Sequence, residues 1–386
     1  GYGFDIEWPP ERYVNITDSF FMAKGHGSHW SSFSSMIGID MNGDSMDELL
    51  VGSPGASDQD GSYDGAITMI TGTPLWDAQF IGEYNRGQFG KGNLMGDFDG
   101  DGILDIVISA PQGGAGYSGY VYIFFGDIDP WSGKYYAGDS AISFTIGDDS
   151  SYLGTGLAIG DLNDDGYDDI LIGTPKWGEA DFGLLQLYFG GSRSFIESQS
   201  PSRWMGPIGA NLGTSVCVGD FNGDNIDDFA VSSPNLEGDP VEEDRPKAGI
   251  VEVNFGPISY GSNPMDVEIR GPLRKTQIGE ALVSMDANGD GKDELVIGAP
   301  TGSAGSINQQ GNVFVLEGRD NWPSVIDLAE DPNARLDGAW PYDQTGSSLN
   351  ASDLNGDGKQ DLIIGAPYGD GFMRTTDNAG IVYVVM

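Results

Sequence analysis

Short apolar stretches recur along this chain, each closed by glycine, proline or acidic residues. The most continuous are Leu49-Leu50-Val51, Ile106-Val107-Ile108, Ile170-Leu171-Ile172 and Leu362-Ile363-Ile364. Runs this short, bounded by turn residues, predict buried strands rather than helices. A further set opens on glycine and alternates: Gly119-Tyr-Val-Tyr-Ile-Phe, Gly249-Ile-Val-Glu-Val-Asn-Phe, Gly311-Asn-Val-Phe-Val-Leu and Gly380-Ile-Val-Tyr-Val-Val. Weaker stretches such as Ile142-Ser-Phe-Thr-Ile146 and Val267-Glu-Ile269 follow. With a short strand ahead of each buried one, the unit is four strands long.

An acidic loop lies between the first and second strand of every unit. The six loops read Asp40-Met-Asn42-Gly-Asp44, Asp97-Phe-Asp99-Gly-Asp101, Asp161-Leu-Asn163-Asp-Asp165, Asp220-Phe-Asn222-Gly-Asp224, Asp286-Ala-Asn288-Gly-Asp290 and Asp353-Leu-Asn355-Gly-Asp357. Successive loops start 57, 64, 59, 66 and 67 residues apart. Each buried strand ends in a small-residue step before proline: Gly52-Ser53-Pro54, Ser109-Ala110-Pro111, Gly173-Thr174-Pro175, Ser232-Ser233-Pro234, Gly298-Ala299-Pro300 and Gly365-Ala366-Pro367. An apolar-Gly pair stands ahead of several loops, at Phe89-Gly90, Leu153-Gly154, Leu212-Gly213 and Ile278-Gly279.

A period running the whole length argues for one array, residues 1–386, rather than several domains. Four antiparallel strands per repeat are the signature of a propeller blade, and blades in a ring bury both faces against neighbours. The expected fold is therefore all-β, a single propeller of six four-stranded blades. Seven would require a degenerate blade that the sequence does not display. The last unit stops after its third strand at Met386, so a segment within residues 1–29, Tyr13-Val-Asn-Ile-Thr17 or Ser19-Phe-Phe-Met22, is expected to complete it and close the ring.

Loop positions 1, 3 and 5 offer side-chain oxygens, position 7 a backbone carbonyl and position 9 a further carboxylate. The expected metal ligands are thus Asp40, Asn42, Asp44, Met46 and Glu48; Asp97, Asp99, Asp101, Ile103 and Asp105; Asp161, Asn163, Asp165, Tyr167 and Asp169; Asp220, Asn222, Asp224, Ile226 and Asp228; Asp286, Asn288, Asp290, Lys292 and Glu294; and Asp353, Asn355, Asp357, Lys359 and Asp361. All-oxygen sets suit Ca²⁺, while Mg²⁺ demands tighter octahedral geometry and zinc or copper favour thiolate and imidazole. An EF-hand would need Glu at position 12, but Val51, Ile108, Ile172, Val231, Ile297 and Ile364 stand there. One Asp-rich turn can be an Asx-turn without metal; six in one register point to up to six Ca²⁺ ions with a structural role. Position 6 needs a tight turn, which Gly102, Gly166, Gly291 and Gly358 supply and Asn225 tolerates, whereas Ser45 is less suited. The sites starting at Asp40 and Asp220 are expected to be the weakest.

The net charge of −41 excludes nucleic-acid binding through a basic surface. Nineteen of the 59 acids are assigned as ligands, and the remaining 40 against 18 bases still leave −22, a solubilising surface. No apolar run approaches the ~20 residues of a membrane span, and the N-terminus carries no basic-then-apolar signal, as expected of a mature form, an excised domain or a cytosolic protein. Cys217 is the only cysteine, so no internal disulfide can form, and its setting Val216-Cys217-Val218 predicts a core position. Asn15-Ile-Thr17 and Asn350-Ala-Ser352 are sequons compatible with secretion.

The apolar-Gly pair, the D-x-[DN]-x-D-G-x-x-[DE] loop and the Gly-Ala-Pro step together resemble the FG-GAP repeats of the integrin alpha-subunit propeller. Similar repeats occur in a glycan-binding mushroom lectin family and in the non-catalytic propeller of a GPI-specific phospholipase. The literal Phe-Gly occurs here only at Phe89-Gly90, the first unit has Ser32-Phe33 instead, and the integrin family has seven blades. The resemblance implies a propeller with Ca²⁺ loops on one face and, opposite, the variable loops between second and third strands and between blades. Aromatics lie in or near those loops: Tyr63, Tyr117, Trp177, Trp340, Tyr342 and Tyr368. Such rings could stack on a sugar or anchor a protein.

Catalytic signatures are absent: there is no Gly-x-Ser-x-Gly elbow or P-loop, and His26 and His29 lack a neighbouring third ligand. The chain therefore reads as a non-enzymatic, extracellular or cell-surface Ca²⁺-binding module for protein binding or cell adhesion, without direct membrane insertion. A glycan-binding lectin is the alternative, and a self-assembling structural subunit of a surface layer or filament a third.

Overall fold

The computed structural model describes residues 35–39, 48–56, 64–70, 78–126, 131–236, 247–262, 265–303, 309–330, 333–370 and 380–386. Six sheets form the six blades of an all-β propeller. Blade 1 contains Ser35–Ile39, Glu48–Ser53, Ala66–Ile70 and Ala78–Ile81; blade 2 Asn93–Gly96, Asp105–Ala110, Tyr120–Phe124 and Ile142–Phe144. Blade 3 contains Leu157–Gly160, Asp169–Thr174, Leu184–Tyr188 and Ser202–Met205; blade 4 Val216–Gly219, Asp228–Ser233, Ile250–Asn254 and Val267–Arg270. Blade 5 contains Ala281–Met285, Glu294–Ala299, Asn312–Leu316 and Ala334–Asp337; blade 6 Ser348–Ser352, Asp361–Ala366 and Ile381–Val385. Within a blade every neighbouring pair is antiparallel, from first strand outwards.

The two-faced burial of the second strand explains its continuous apolar run. Ile106 and Ile108 pack with Leu50, Ile67 and Phe80 of blade 1, while the intervening Val107 packs with Ile170, Ile172 and Tyr188 of blade 3. The same alternation repeats with Leu171, Leu185 and Leu187 against Phe229 and Val231, then Val251 and Val253 against Leu295, Ile297 and Phe314, then Val296 and Val313 against Leu362 and Ile364. Cys217 is buried, as its apolar setting predicts.

Both glycine motifs sit where backbones meet. Gly213, at φ +86°, donates its N–H to the Ser232 carbonyl at 3.0 Å within blade 4, and its own carbonyl lies against Gly173 of blade 3. A Cβ on Gly173 would collide with that carbonyl. The glycine opening the third strand belongs to the same joint, since Gly65, Gly119, Gly183 and Gly311 bridge in parallel to Phe89, Leu153, Leu212 and Thr345 of the following blade.

Two features go beyond the simple repeat. Blades 2 and 5 each send a strand back to the outer edge of the preceding blade: Gly133–Tyr136 pairs parallel to Ala78–Ile81, and Val325–Asp327 parallel to Val267–Arg270. Aromatics in these excursions cross the joints. Trp131 and Tyr135 lie 5.4 and 5.1 Å from Phe80, and Trp322 donates its indole N–H to the Phe221 carbonyl at 3.0 Å. The closing strand expected at Tyr13–Thr17 or Ser19–Met22 lies outside the described residues, as do His26 and His29. Blade 6 has three strands among the described residues, and Val382 on the last is 67 % exposed.

Replacing Gly173 by Ala adds one methyl group at the tightest approach between blades 3 and 4. The expected cost is about 1–3 kcal/mol, measured by denaturant unfolding in Ca²⁺; an unchanged midpoint would show that the joint has slack.

Candidate metal loops and the opposite face

Each of the five described loops turns on hydrogen bonds from its own backbone to its own acids. In blade 2 the Asp97 carboxylate accepts the N–H groups of Asp101 and Gly102 at 3.1 and 2.9 Å, and Asp101 accepts that of Ile103 at 2.9 Å. Blade 3 repeats the set with Asp161 accepting from Asp165 and Gly166, and Asp165 from Tyr167. Blades 4, 5 and 6 do so through Asp220 and Asp224, Asp286 and Asp290, and Asp353 and Asp357. In the five described loops position 6 is left-handed, with Gly102 at φ +82° and Asn225 at +64°, which is why glycine or asparagine stands there.

Position 9 plays a second part. Asp105 is buried, accepting the Phe98 N–H at 3.0 Å and the Gly126 N–H beyond the third strand at 2.8 Å. Asp169 does the same with Leu162 and Gly190, and Asp228 with Phe221 and Gly256. One acid thus ties the loop to both the second and third strands. Burial pushes these carboxyls up, Asp105 to about 7 and Asp169 and Asp228 to about 8, with the loop's other carboxylates adding to the shift and the backbone N–H groups opposing it. Glu294 is raised for the same reasons.

The donor chemistry fits a hard divalent cation. Asp97, Asp99 and Asp105 each bring one oxygen within 4.8 Å of the others, and the loop supplies no sulfur or imidazole. Corresponding side chains are assembled by the same bonds in blades 3 to 6. Of the first loop, Asp40, Asn42, Asp44 and Met46 lie outside the described residues, while Glu48 is buried at the start of its strand. The side chain at position 7 crosses the joint: Tyr167 lies over Gly100 of the preceding loop and Lys292 over Gly223.

Arg193 was not visible as a site residue in the sequence. It lies on a short helix, Arg193–Ser198, after the third strand of blade 3, and reaches back to blade 2. Its guanidinium bonds Asp99 and Asp101, donates to the Gly126 carbonyl at 3.3 Å and sits 4.5 Å over the Phe125 ring. Asp99 is the one position-3 residue that is Asp rather than Asn, so a cationic side chain from the next blade faces the loop with the extra charge.

At the other end of the strands the six candidate aromatics separate. Tyr342 and Tyr368 are 58 and 51 % exposed and Trp340 45 %. They share the joint of blades 5 and 6, where the Tyr368 N–H donates to the Asp343 carbonyl at 3.4 Å. Tyr117, also exposed, stacks with Tyr152 at the joint of blades 2 and 3, and Trp177 is half-buried. Tyr63 lies outside the described residues. A polar chain at this end was missed in the sequence: Asn211 donates to the Pro175 carbonyl at 2.9 Å and accepts from Asn235, which accepts from Gln277 at 2.8 Å, which accepts from Thr301 at 3.2 Å. It links blades 3, 4 and 5, and no local motif marks its members.

Fold and loops together define a β-propeller built of acidic-loop repeats. The FG-GAP repeat model matches residues 89–124, 153–188, 212–240, 279–316 and 345–385. The chain is an FG-GAP-repeat β-propeller, similar to integrin alpha subunits. It is 29 % identical to integrin alpha-5 of Xenopus laevis over 225 residues, 56 % of this chain and 20 % of that protein. It is 27 % identical to phosphatidylinositol-glycan-specific phospholipase D of Bos taurus over 393 residues, 90 % of this chain and 44 % of the enzyme. The chain thus spans less than half the length of either relative. The solved Dos1 propeller aligns over 92 % of this chain and 66 % of its own, with a TM-score of 0.47 and 12 % identity.

The raised carboxyls set a pH dependence in metal-free protein. Folded values near 7 and 8 against an ordinary value of 3.8 mean that the native chain binds more protons than the unfolded chain between about pH 4 and 8. Their contribution is greatest below about pH 4 and is lost as pH rises through the folded values. In chelator the melting temperature should therefore fall from pH 5 to pH 8, by roughly 2 °C or more, as scanning calorimetry would detect; a rise over that range would contradict burial of ionisable position-9 acids.

Proposed function

We propose that the chain is a non-catalytic, Ca²⁺-stabilised binding module of the extracellular space or cell surface, with its protein partner on the face opposite the acidic loops. The Ca²⁺ reading is supported by the all-oxygen loops, held in one hydrogen-bonded form in five described blades. An ion there offsets the repulsion of three or four carboxylates and stabilises the native chain by linkage. The loops would hold it through the side chains of positions 1, 3, 5 and 9 and the carbonyl of position 7.

The observation that carries the binding role is the placement of Trp340, Tyr342 and Tyr368. Three large rings are exposed at one blade joint, where the Tyr368 N–H bonds the Asp343 carbonyl. Exposed aromatics gathered on one patch are the usual anchors of protein recognition. Similarity to integrin alpha subunits supports a protein ligand and an extracellular setting. Among the described residues no helix is long and apolar enough to cross a membrane. The phospholipase similarity supports the same propeller architecture.

Two measurements follow. Chelation should lower the melting temperature by several degrees, and Ca²⁺ should restore it, a rise of about 2.7 kcal/mol at a hundredfold excess over Kd for a single site; a curve indifferent to both ends the Ca²⁺ reading. Labelled chain should bind cells of its source, lose that binding after surface proteolysis but keep it after glycosidase treatment, and weaken about tenfold or more on Trp340→Ala with Tyr342→Ala and Tyr368→Ala. Sensitivity to glycosidase alone would favour a lectin, and concentration-dependent polymerisation a structural subunit.

A further inference from the structure

We propose that the side chain at loop position 8 positions the metal loop of the preceding blade, so that each site depends on its C-terminal neighbour. This rests on the Ca²⁺ reading of the loops. Position 8 lies next to the expected ligand at position 9, but an extended backbone turns adjacent side chains to opposite sides. Position 9 points into its own blade, whereas position 8 crosses the joint.

The contact recurs at every joint from blade 2 to blade 6. Asp168 accepts the Asp97 N–H at 2.8 Å, Asp227 that of Asp161 at 2.9 Å, Asp293 that of Asp220 at 3.1 Å, and Gln360 that of Asp286 at 3.0 Å. The bond is returned through the backbone, because the N–H groups of Asp168, Asp293 and Gln360 donate to the carbonyls of Asp97, Asp220 and Asp286 at 3.2, 2.8 and 3.2 Å. In each case the residue clamped is the first ligand of a loop, whose carboxylate already organises positions 5 and 6.

A second, independent feature shows that these joints are shaped around the clamp. The residue before the clamped Asp is Gly96, Gly160 or Gly219 where the clamp is Asp, and a Cβ there would collide with the carboxylate of Asp168, Asp227 or Asp293. Where Met285 stands in place of glycine, the clamp is the longer Gln360. Blade 2 departs from the pattern: its position 8 is Leu104, which has no acceptor to offer the loop starting at Asp40. Four first residues, Asp97, Asp161, Asp220 and Asp286, therefore form a directional chain, each held from the next blade, and Leu104 offers the Asp40 loop no side-chain acceptor of this kind.

The test uses the full chain and hydrogen–deuterium exchange read by mass spectrometry across a Ca²⁺ titration, which resolves each loop as its own peptide. Gln360→Leu, which copies Leu104 without changing charge, should raise the Ca²⁺ needed to protect residues 286–294 by about 10–100-fold, the usual cost of losing a partner of a metal ligand. Gln360→Glu keeps an acceptor and should restore protection. Asp227→Ala should act likewise on residues 161–169, with Asp227→Asn as its rescue. A shift confined to the altered residue's own loop, 353–361 or 220–228, or an equal shift in all loops, overturns the coupling. Absence of Ca²⁺-dependent protection in the unsubstituted chain overturns the Ca²⁺ reading and the proposal with it.

Discussion

A buried carboxylate at the start of each second strand is the constraint on which the rest of this propeller depends. Asp105, Asp169 and Asp228 each accept one N–H from the acidic loop and one from the chain leaving the third strand. Three segments of a blade meet at one side chain that has little access to water. An acid so placed must be protonated, bonded or matched by a cation, because an isolated buried charge is too costly to keep. Two hydrogen bonds meet part of that need, and the raised proton affinity shows that they do not meet all of it. The remaining acids of the loop make the balance worse until a positive charge arrives. Arg193 shows one local answer, delivered to the loop that carries Asp99 as an additional acid.

From that point the order spreads sideways. A strand such as Asp105–Ala110 is buried along its whole length because its alternate side chains belong to two different interfaces. No blade owns a complete core, so the loop that fixes the angle between first and second strands also fixes how both faces are presented. The joints add directional bonds to this non-directional packing: position 8 at the loop end, Gly173 against Gly213 near the other, and the Asn211–Asn235–Gln277–Thr301 chain beyond. Apolar burial supplies most of the driving force. Polar contacts of this kind set register, since a blade slipped by one residue would exchange its position-8 and position-9 acids between the joint and its own interior.

The architecture was legible in the sequence because its strongest signals are periodic. Six loops, six small-residue steps and an apolar position 12 fixed the blade boundaries, and Asn225 does adopt the left-handed conformation expected of it. What escaped reading has a common cause. Asp168 and Asp169 are identical in type and adjacent, and only the pleat distinguishes a clamp on the neighbour from a ligand in the blade itself. Arg193 and the strands Gly133–Tyr136 and Val325–Asp327 lie in the variable connections, where no repeat supplies a register to align them. Loop membership is all that marks the six aromatics in the sequence, whereas exposure divides the five described: Trp340, Tyr342 and Tyr368 gather at one joint, while Trp177 is half-buried and Tyr117 pairs with Tyr152.

The same constraint argues for keeping recognition away from the metal loops. A loop whose acids are committed to backbone N–H groups has few acceptors left for a partner, and any partner drawing on them would disturb the joint as well as the loop. At the opposite end such bonds fall on a few residues, Asn211, Asn235, Gln277 and Thr301 among them. Its connections vary in length and composition, while their ends are pinned by bonds such as the one between Tyr368 and Asp343. Exposed side chains there that make no such bond can change at less cost to the ring than the acids of the loops. Exposed rings on pinned connections are therefore the part of this propeller most free to acquire a partner, and the acidic loops the part least free to do so.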